Sequence, residues 1–265
     1  MNLIHLSDLT PADVRAIWTF VEAPAMPMNG AVAWSFEGNG IRTRTTFVQA
    51  FRELGLAFTE LPNLLKTGER VCDLAGYLDP FYAVYVVRES NHERLAEFAD
   101  ASCRPVVNAM SSKGHPCEVL TDAFYVNSAL VPIEQARICL WGPPTNVLRS
   151  WHELAGVMGF SIQHVCEARF HEAMPNVVFT ESVDAKVDIV ITDAWPSGIE
   201  APGSSLTEAH LSQMGHPKLL PTPPFSIGRE LAFDPLSYAG FVGHEQKKLL
   251  LPVQKAILRH VLAHG

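Results

Sequence analysis

The run Tyr82-Ala83-Val84-Tyr85-Val86-Val87 constrains the fold more than any other stretch. It is apolar at consecutive positions and rich in β-branched residues, as a central parallel strand covered on both faces requires. Parallel neighbours need crossover helices, and helical patterns lie on either side. Thr10 and Pro11 open a helix with Val14, Ile17, Trp18 and Val21 on one face. Strands are expected at Ala31 to Phe36, Leu56 to Leu61 and Pro105 to Ala109, with helices at Arg70 to Leu78 and His92 to Ala101. The alternation resumes after residue 136. It gives strands at Arg137 to Gly142, Ser161 to Cys166, Val177 to Thr180 and Asp188 to Thr192, and helices at Asn146 to Met158 and Gln246 to His264. The expected class is α/β with parallel sheets, and 265 residues suit two lobes divided near Pro132 to Ala136.

In such sheets ligands bind beyond the carboxyl ends of the strands. The stretch Ser35 to Phe47 reads as a loop carrying Arg42, Arg44 and several hydroxyls, directly before a helix over Val48 to Gly55. Free N–H groups at a helix start beside arginines receive a phosphate or carboxylate, although a capped surface helix with solvated arginines has the same pattern. Arg88 and His115 fall just past two further strand ends, and Asp193 to Gly198 forms a polar cluster past another. Residues 199 to 218 read either as a lid over a ligand or as a plain surface excursion.

Composition narrows the partners. The net charge is −8 and the cations form no basic run, so neither nucleic acid nor an anionic membrane is expected. The five cysteines are odd in number and lack zinc-finger spacing. They suit a reducing cytoplasm, and the first residues lack the pattern of a signal peptide. Eleven histidines show no HExxH-type pair, so no metal or other cofactor is expected.

Several motifs occur in order. Phe36-Glu37 precede Gly40-Ile41-Arg42-Thr43-Arg44, where the aspartate and ornithine carbamoyltransferase family reads Phe-Glu before STRTR. His115-Pro116-Cys117-Glu118-Val119-Leu120-Thr121-Asp122 resembles its HPCQxLxD box, Lys66-Thr67-Gly68-Glu69 its KGE loop, and Asp193-Ala194-Trp195-Pro196-Ser197 the ornithine branch's DxWxS. The chain thus resembles this family over nearly its full length.

The resemblance implies two Rossmann-like lobes with a ligand cleft between them. Residues 1–131, with a terminal helix from 246 packing back, would bind carbamoyl phosphate, and 132–245 the acceptor. It also implies a homotrimer whose Lys66 and Thr67 reach a neighbouring site. Gly40, Ile41, Arg42, Thr43 and Arg44 would face the phosphate, and Arg88, His115 and Thr43 the carbonyl oxygen. Glu118 stands at the family glutamine beside the donor. Asn146, Asp193 and Ser197 would hold the acceptor, with Thr222 and Pro223 where ornithine enzymes carry HCLP.

The departures bear on chemistry. Gly40-Ile41 removes two hydroxyl donors, and Pro221-Thr222-Pro223-Pro224 removes the acceptor-side cysteine. Glu118 repels a phosphate when ionised, yet accepts a hydrogen bond from a carbamoyl NH₂ as glutamine does. The expectation is carbamoyl transfer to an amine of a small molecule other than aspartate or ornithine. A non-catalytic anion-binding relative, or a lyase or other transferase with Glu118 as general base, remain as alternatives.

Overall fold

The computed structural model describes residues 1–265 except Ala25, Asp184, Ala185, Glu200 and Pro202. Part of the expected 199–218 lid, at Glu200 and Pro202, therefore lies outside the described residues. Two compact units are present, Met1–Thr121 with Leu249–Gly265, and Asp122–Lys248. The division falls earlier than the Pro132 segment suggested, inside a helix.

The first unit is built on four parallel strands: β1 (Ala31–Phe36), β2 (Ala57–Glu60), β3 (Val84–Glu89) and β4 (Val106–Ser111), in the order β2-β1-β3-β4. Val84 to Val87 are fully buried, as their unbroken apolar run requires. The helices of this unit are α1 (Pro11–Glu22), α2 (Ile41–Glu53), α3 (Val71–Leu78), α4 (His92–Ala101) and the start of α5 (Pro116–Tyr125). Thr10 caps α1 reciprocally with Asp13. Trp34 is fully buried among Phe36, Phe47 and Phe51, its ring centroid 4.7 to 5.6 Å from theirs. These contacts seat α2 on β1.

The second unit carries β5 (Ile138–Trp141), β6 (Ile162–Val165), β7 (Val177–Thr180), β8 (Ile189–Asp193) and β9 (Lys218–Thr222), all parallel, in the order β7-β6-β5-β8-β9. Here α6 (Asn146–Met158) is capped by the Thr145 hydroxyl, which accepts from Leu148 N at 3.2 Å. It is followed by the short α7 (Glu208–Gln213).

Two expected boundaries move. The helix expected from Val48 begins at Ile41, so Arg42 and Arg44 lie on its first turn and not in a loop. The single terminal helix is two, α8 (Gly243–Lys247) in the second unit and α9 (Leu250–Ala263) in the first, where α9 packs on α1 and α2. Among the described residues no helix is long and apolar enough to cross a membrane.

Candidate functional site

Every donor-side residue singled out in the sequence lies at the carboxyl edge of the first sheet. Gly40 precedes α2 in the left-handed region, with φ 30°, and offers no side-chain cap. The first-turn N–H groups of α2 therefore have no capping partner from Gly40. Thr45 and Thr46 donate back to the carbonyls of Ile41 and Arg42 at 2.8 and 3.0 Å. Their hydroxyls serve the helix, whereas the buried Thr43 makes no side-chain hydrogen bond among the described residues. Ile41 is 70% exposed.

Arg88 lies near the end of β3, and the register against β4 shifts between Val87 and Arg88. A bulge of this kind re-aims a side chain. Across the sheet Arg88 pairs with Phe36 of β1, and its Cζ lies 5.1 Å from that ring's centroid. The Arg44 Cζ is 4.9 Å from the same ring. The two arginines differ in their other partners. Arg44 is ion-paired with Glu60. Among the described residues neither Arg42 nor Arg88 forms an ion pair. Burial pushes the Arg88 guanidinium below its usual range; Glu37 offsets part of this, and Arg42 adds to it. A desolvated cation without a carboxylate partner is costly unless an anion completes it.

Glu37 is engaged elsewhere. Its carboxylate accepts from Ser90 N at 2.6 Å and lies 3.3 Å from Lys66 Nζ, and the Ser90 N–H holds its pKa down. Lys66 also pairs with buried Glu89 at 2.5 Å, a contact that raises the ammonium's pKa. The Lys66-Thr67 segment is tied to its own unit further by Arg94, which donates to the carbonyls of Leu65 and Thr67 at 2.6 and 2.9 Å. His115 sits just before α5, and Glu118 on its first turn; both are buried. Asn108 steadies the turn leading to them, donating to Ile4 O at 2.9 Å and Ser111 Oγ at 3.1 Å.

The acceptor-side residues gather at the carboxyl edge of the second sheet. Asp193 and Thr222 are register partners at the ends of β8 and β9, and both are buried. Thr145, before α6, donates to Asp193, and Asn146 is the first residue of that helix. Ser197, four positions past Asp193, is exposed, and Pro223 is half-buried. The Thr222 Oγ1 atom is buried and has no hydrogen-bond partner among the described residues.

Burial pushes the Asp193 carboxyl up to about 6, against the Thr145 and Ala194 donors, and Glu230 adds to the rise. Burial also raises Asp122 well above the carboxylate range, with Asp193 contributing. Sequence reasoning assigned no role to Asp122, Glu230 or the Phe36 ring. Asp122, closing the His115 box, and Phe36, in the Phe-Glu pair before the arginines, had a motif signal, whereas Glu230 had none. A raised folded-state pKa makes Asp193 stabilising below its unfolded value near 4, and that contribution is lost as pH rises through about 6. Asp193→Asn is therefore expected to raise the melting temperature at pH 7.5 and to flatten its fall between pH 4 and 7.5. A variant melting below the native chain at pH 7.5 would contradict this.

Residues 2–128 match the family model described as aspartate/ornithine carbamoyltransferase, carbamoyl-P binding domain. The chain belongs to the aspartate/ornithine carbamoyltransferase family. Among relatives, it is 30% identical over 199 residues to an ornithine carbamoyltransferase of Halorhodospira halophila, covering 69% of this chain and 66% of that one. It is 28% identical over 193 residues to one of Caulobacter vibrioides, covering 67% and 62%. These alignments span less than two thirds of the length of either relative. An ornithine carbamoyltransferase structure from Campylobacter jejuni superposes with a TM-score of 0.84 at 24% identity, covering 100% of both chains. That likeness confirms the fold: parallel-sheet α/β units of the carbamoyltransferase type.

Proposed function

We propose that the protein transfers the carbamoyl group of carbamoyl phosphate to an amine of a small acceptor other than ornithine or aspartate. The observation that carries the reading is the pair of guanidinium groups, Arg42 and Arg88, that form no ion pair among the described residues, at the start of α2 within the matched carbamoyl-phosphate domain. The phosphate would be held by Arg42, by Arg88 beside Gly40, and by the first-turn N–H groups of α2. Arg88, His115 and Thr43 would polarise the carbonyl oxygen. The neutral amine attacks the carbonyl carbon, a C–N bond forms, and phosphate leaves with the electrons of the C–O bond. The amine's surplus proton passes to the departing phosphate or to water. No covalent help from the protein is needed, so positioning and charge stabilisation supply the rate.

Asp193, Thr222 and Asn146 would hold the acceptor, and Thr222 supports a non-standard one. A buried hydroxyl stands where ornithine enzymes carry the cysteine of HCLP, and a bare buried hydroxyl favours a ligand that bonds to it.

The reading is tested by calorimetry with phosphate and carbamoyl phosphate, followed by labelled carbamoyl transfer to a panel of amines. The native chain is expected to bind both anions. Glu118→Gln is expected to bind phosphate about a hundredfold tighter, because a carboxylate some 6 Å from a dianion opposes it by a few kcal/mol at an effective dielectric near 20. Binding without transfer to any amine would favour a non-catalytic relative. No binding by the native chain, gained in Glu118→Gln, would sink the donor assignment.

A further inference from the structure

The second unit contains a cavity of about 340 Å³ at the carboxyl ends of β5 and β6. None of the residues given a part in carbamoyl transfer lines it. Its buried lining includes Trp141, Cys166 and Met214, with His210, Glu167 and Glu181 completing the chemistry.

The hydrogen bonds decide what this lining offers. Trp141 Nε1 donates to Ser204 O at 2.7 Å, so the indole donor is used and its π surface remains. The Trp141 and His210 rings lie 4.7 Å apart at 37°. His210 Nδ1 accepts from Thr207 N at 3.2 Å, which places the ring proton on Nε2 of a neutral imidazole. Burial lowers the His210 pKa and keeps it neutral.

Glu167 is paired with Arg169 at 2.9 Å and accepts from Ser204 Oγ at 3.3 Å. Glu181 accepts only a backbone bond, from Ala168 N at 3.3 Å, and forms no ion pair among the described residues. The Cys166 thiol is 5% exposed and unpartnered among the described residues, and burial pushes it up to about 12, so it adds no charge. Among the described residues no lysine or arginine lines the space. Acceptors and π faces dominate, with uncompensated negative charge at Glu181.

We propose that this cavity binds a small organic cation: a primary ammonium or guanidinium on a short apolar or aromatic body. The body fits among Trp141, Met214 and Cys166, and the cation faces Glu181 and the aromatic pair. The volume lies at the small end of ligand pockets, which begin near about 300 Å³.

The test is calorimetry on the full chain with phenethylammonium chloride and, as its neutral counterpart, 2-phenylethanol. Saturable one-to-one binding of the ammonium is expected, with the alcohol at least about tenfold weaker. Glu181→Gln, at an exposed position, should weaken the ammonium roughly fivefold. Gln213→Arg, also exposed and on the cavity wall, should abolish binding by supplying a competing cation. Arg88→Ala should leave it unchanged, so this site stands or falls separately from the donor site. Absence of saturable binding, equal binding of the alcohol, or indifference to both cavity variants overturns the proposal.

Discussion

Arg88→Ala is expected to lose phosphate affinity by about a hundredfold and carbamoyl transfer by at least as much, while melting within a few degrees of the native chain. The first half follows from charge-assisted hydrogen bonding: a guanidinium bound to an anion in a partly dry site contributes roughly 2 to 3 kcal/mol. The second half follows from what Arg88 lacks. Burial lowers its pKa, and among the described residues it has no ion-pair partner, so folding gains little from its charge. Its contact with the Phe36 ring stabilises the fold by about 0.5 to 1 kcal/mol, and removal of a desolvated cation offsets that loss. Arg44→Ala is the matched control. Arg44 touches the same ring but is committed to Glu60, so its loss should change phosphate affinity less than about threefold. Calorimetry and thermal melting of both variants decide the matter. If Arg88→Ala binds phosphate as the native chain does, Arg88 is not a donor ligand.

Much of this architecture is legible because its signals are local. The strand at Ala31–Phe36 and the helices His92–Ala101 and Asn146–Met158 fall where pattern and capping residues place them. The start of α2 was hidden because Gly40 begins the helix from a left-handed conformation without a capping side chain, and three threonines lower the apparent propensity of its first turns. The break before α9 was hidden because apolar periodicity continues through Leu249 and Leu250. Site residue types were legible, but their pairings were not. Which arginine is free depends on Glu60 lying in register beside β1, and which lysine is tied down depends on Glu37 and Glu89 meeting across strand ends. The bulge that aims Arg88 is a property of two strands and is written in neither alone.

Gly40→Ser carries the sharpest conflict between motif and structure. The motif alone says that a serine here restores a family hydroxyl and should improve phosphate binding. The structure requires the opposite. A Cβ on residue 40 would lie 2.2 Å from Phe36 Cε1 and 2.6 Å from Arg88 Nη1, with the backbone at φ +30°. The ring cannot yield cheaply, because Phe36 is 4% exposed and packs on Trp34 at 4.7 Å. Arg88 is the flexible neighbour, so its guanidinium would be displaced from the start of α2. Backbone strain of about 1 to 2 kcal/mol and overpacking of about 1 to 3 kcal/mol add. The variant is therefore expected to lose about 3 kcal/mol of stability and roughly tenfold in phosphate affinity. Gly40→Ala should show nearly the same losses, since the Cβ and not the hydroxyl is responsible. Denaturant unfolding and calorimetry measure both quantities. Tighter phosphate binding by Gly40→Ser at native stability would mean that Phe36 and Arg88 make room, and that the glycine is a lost donor and not a fitted one.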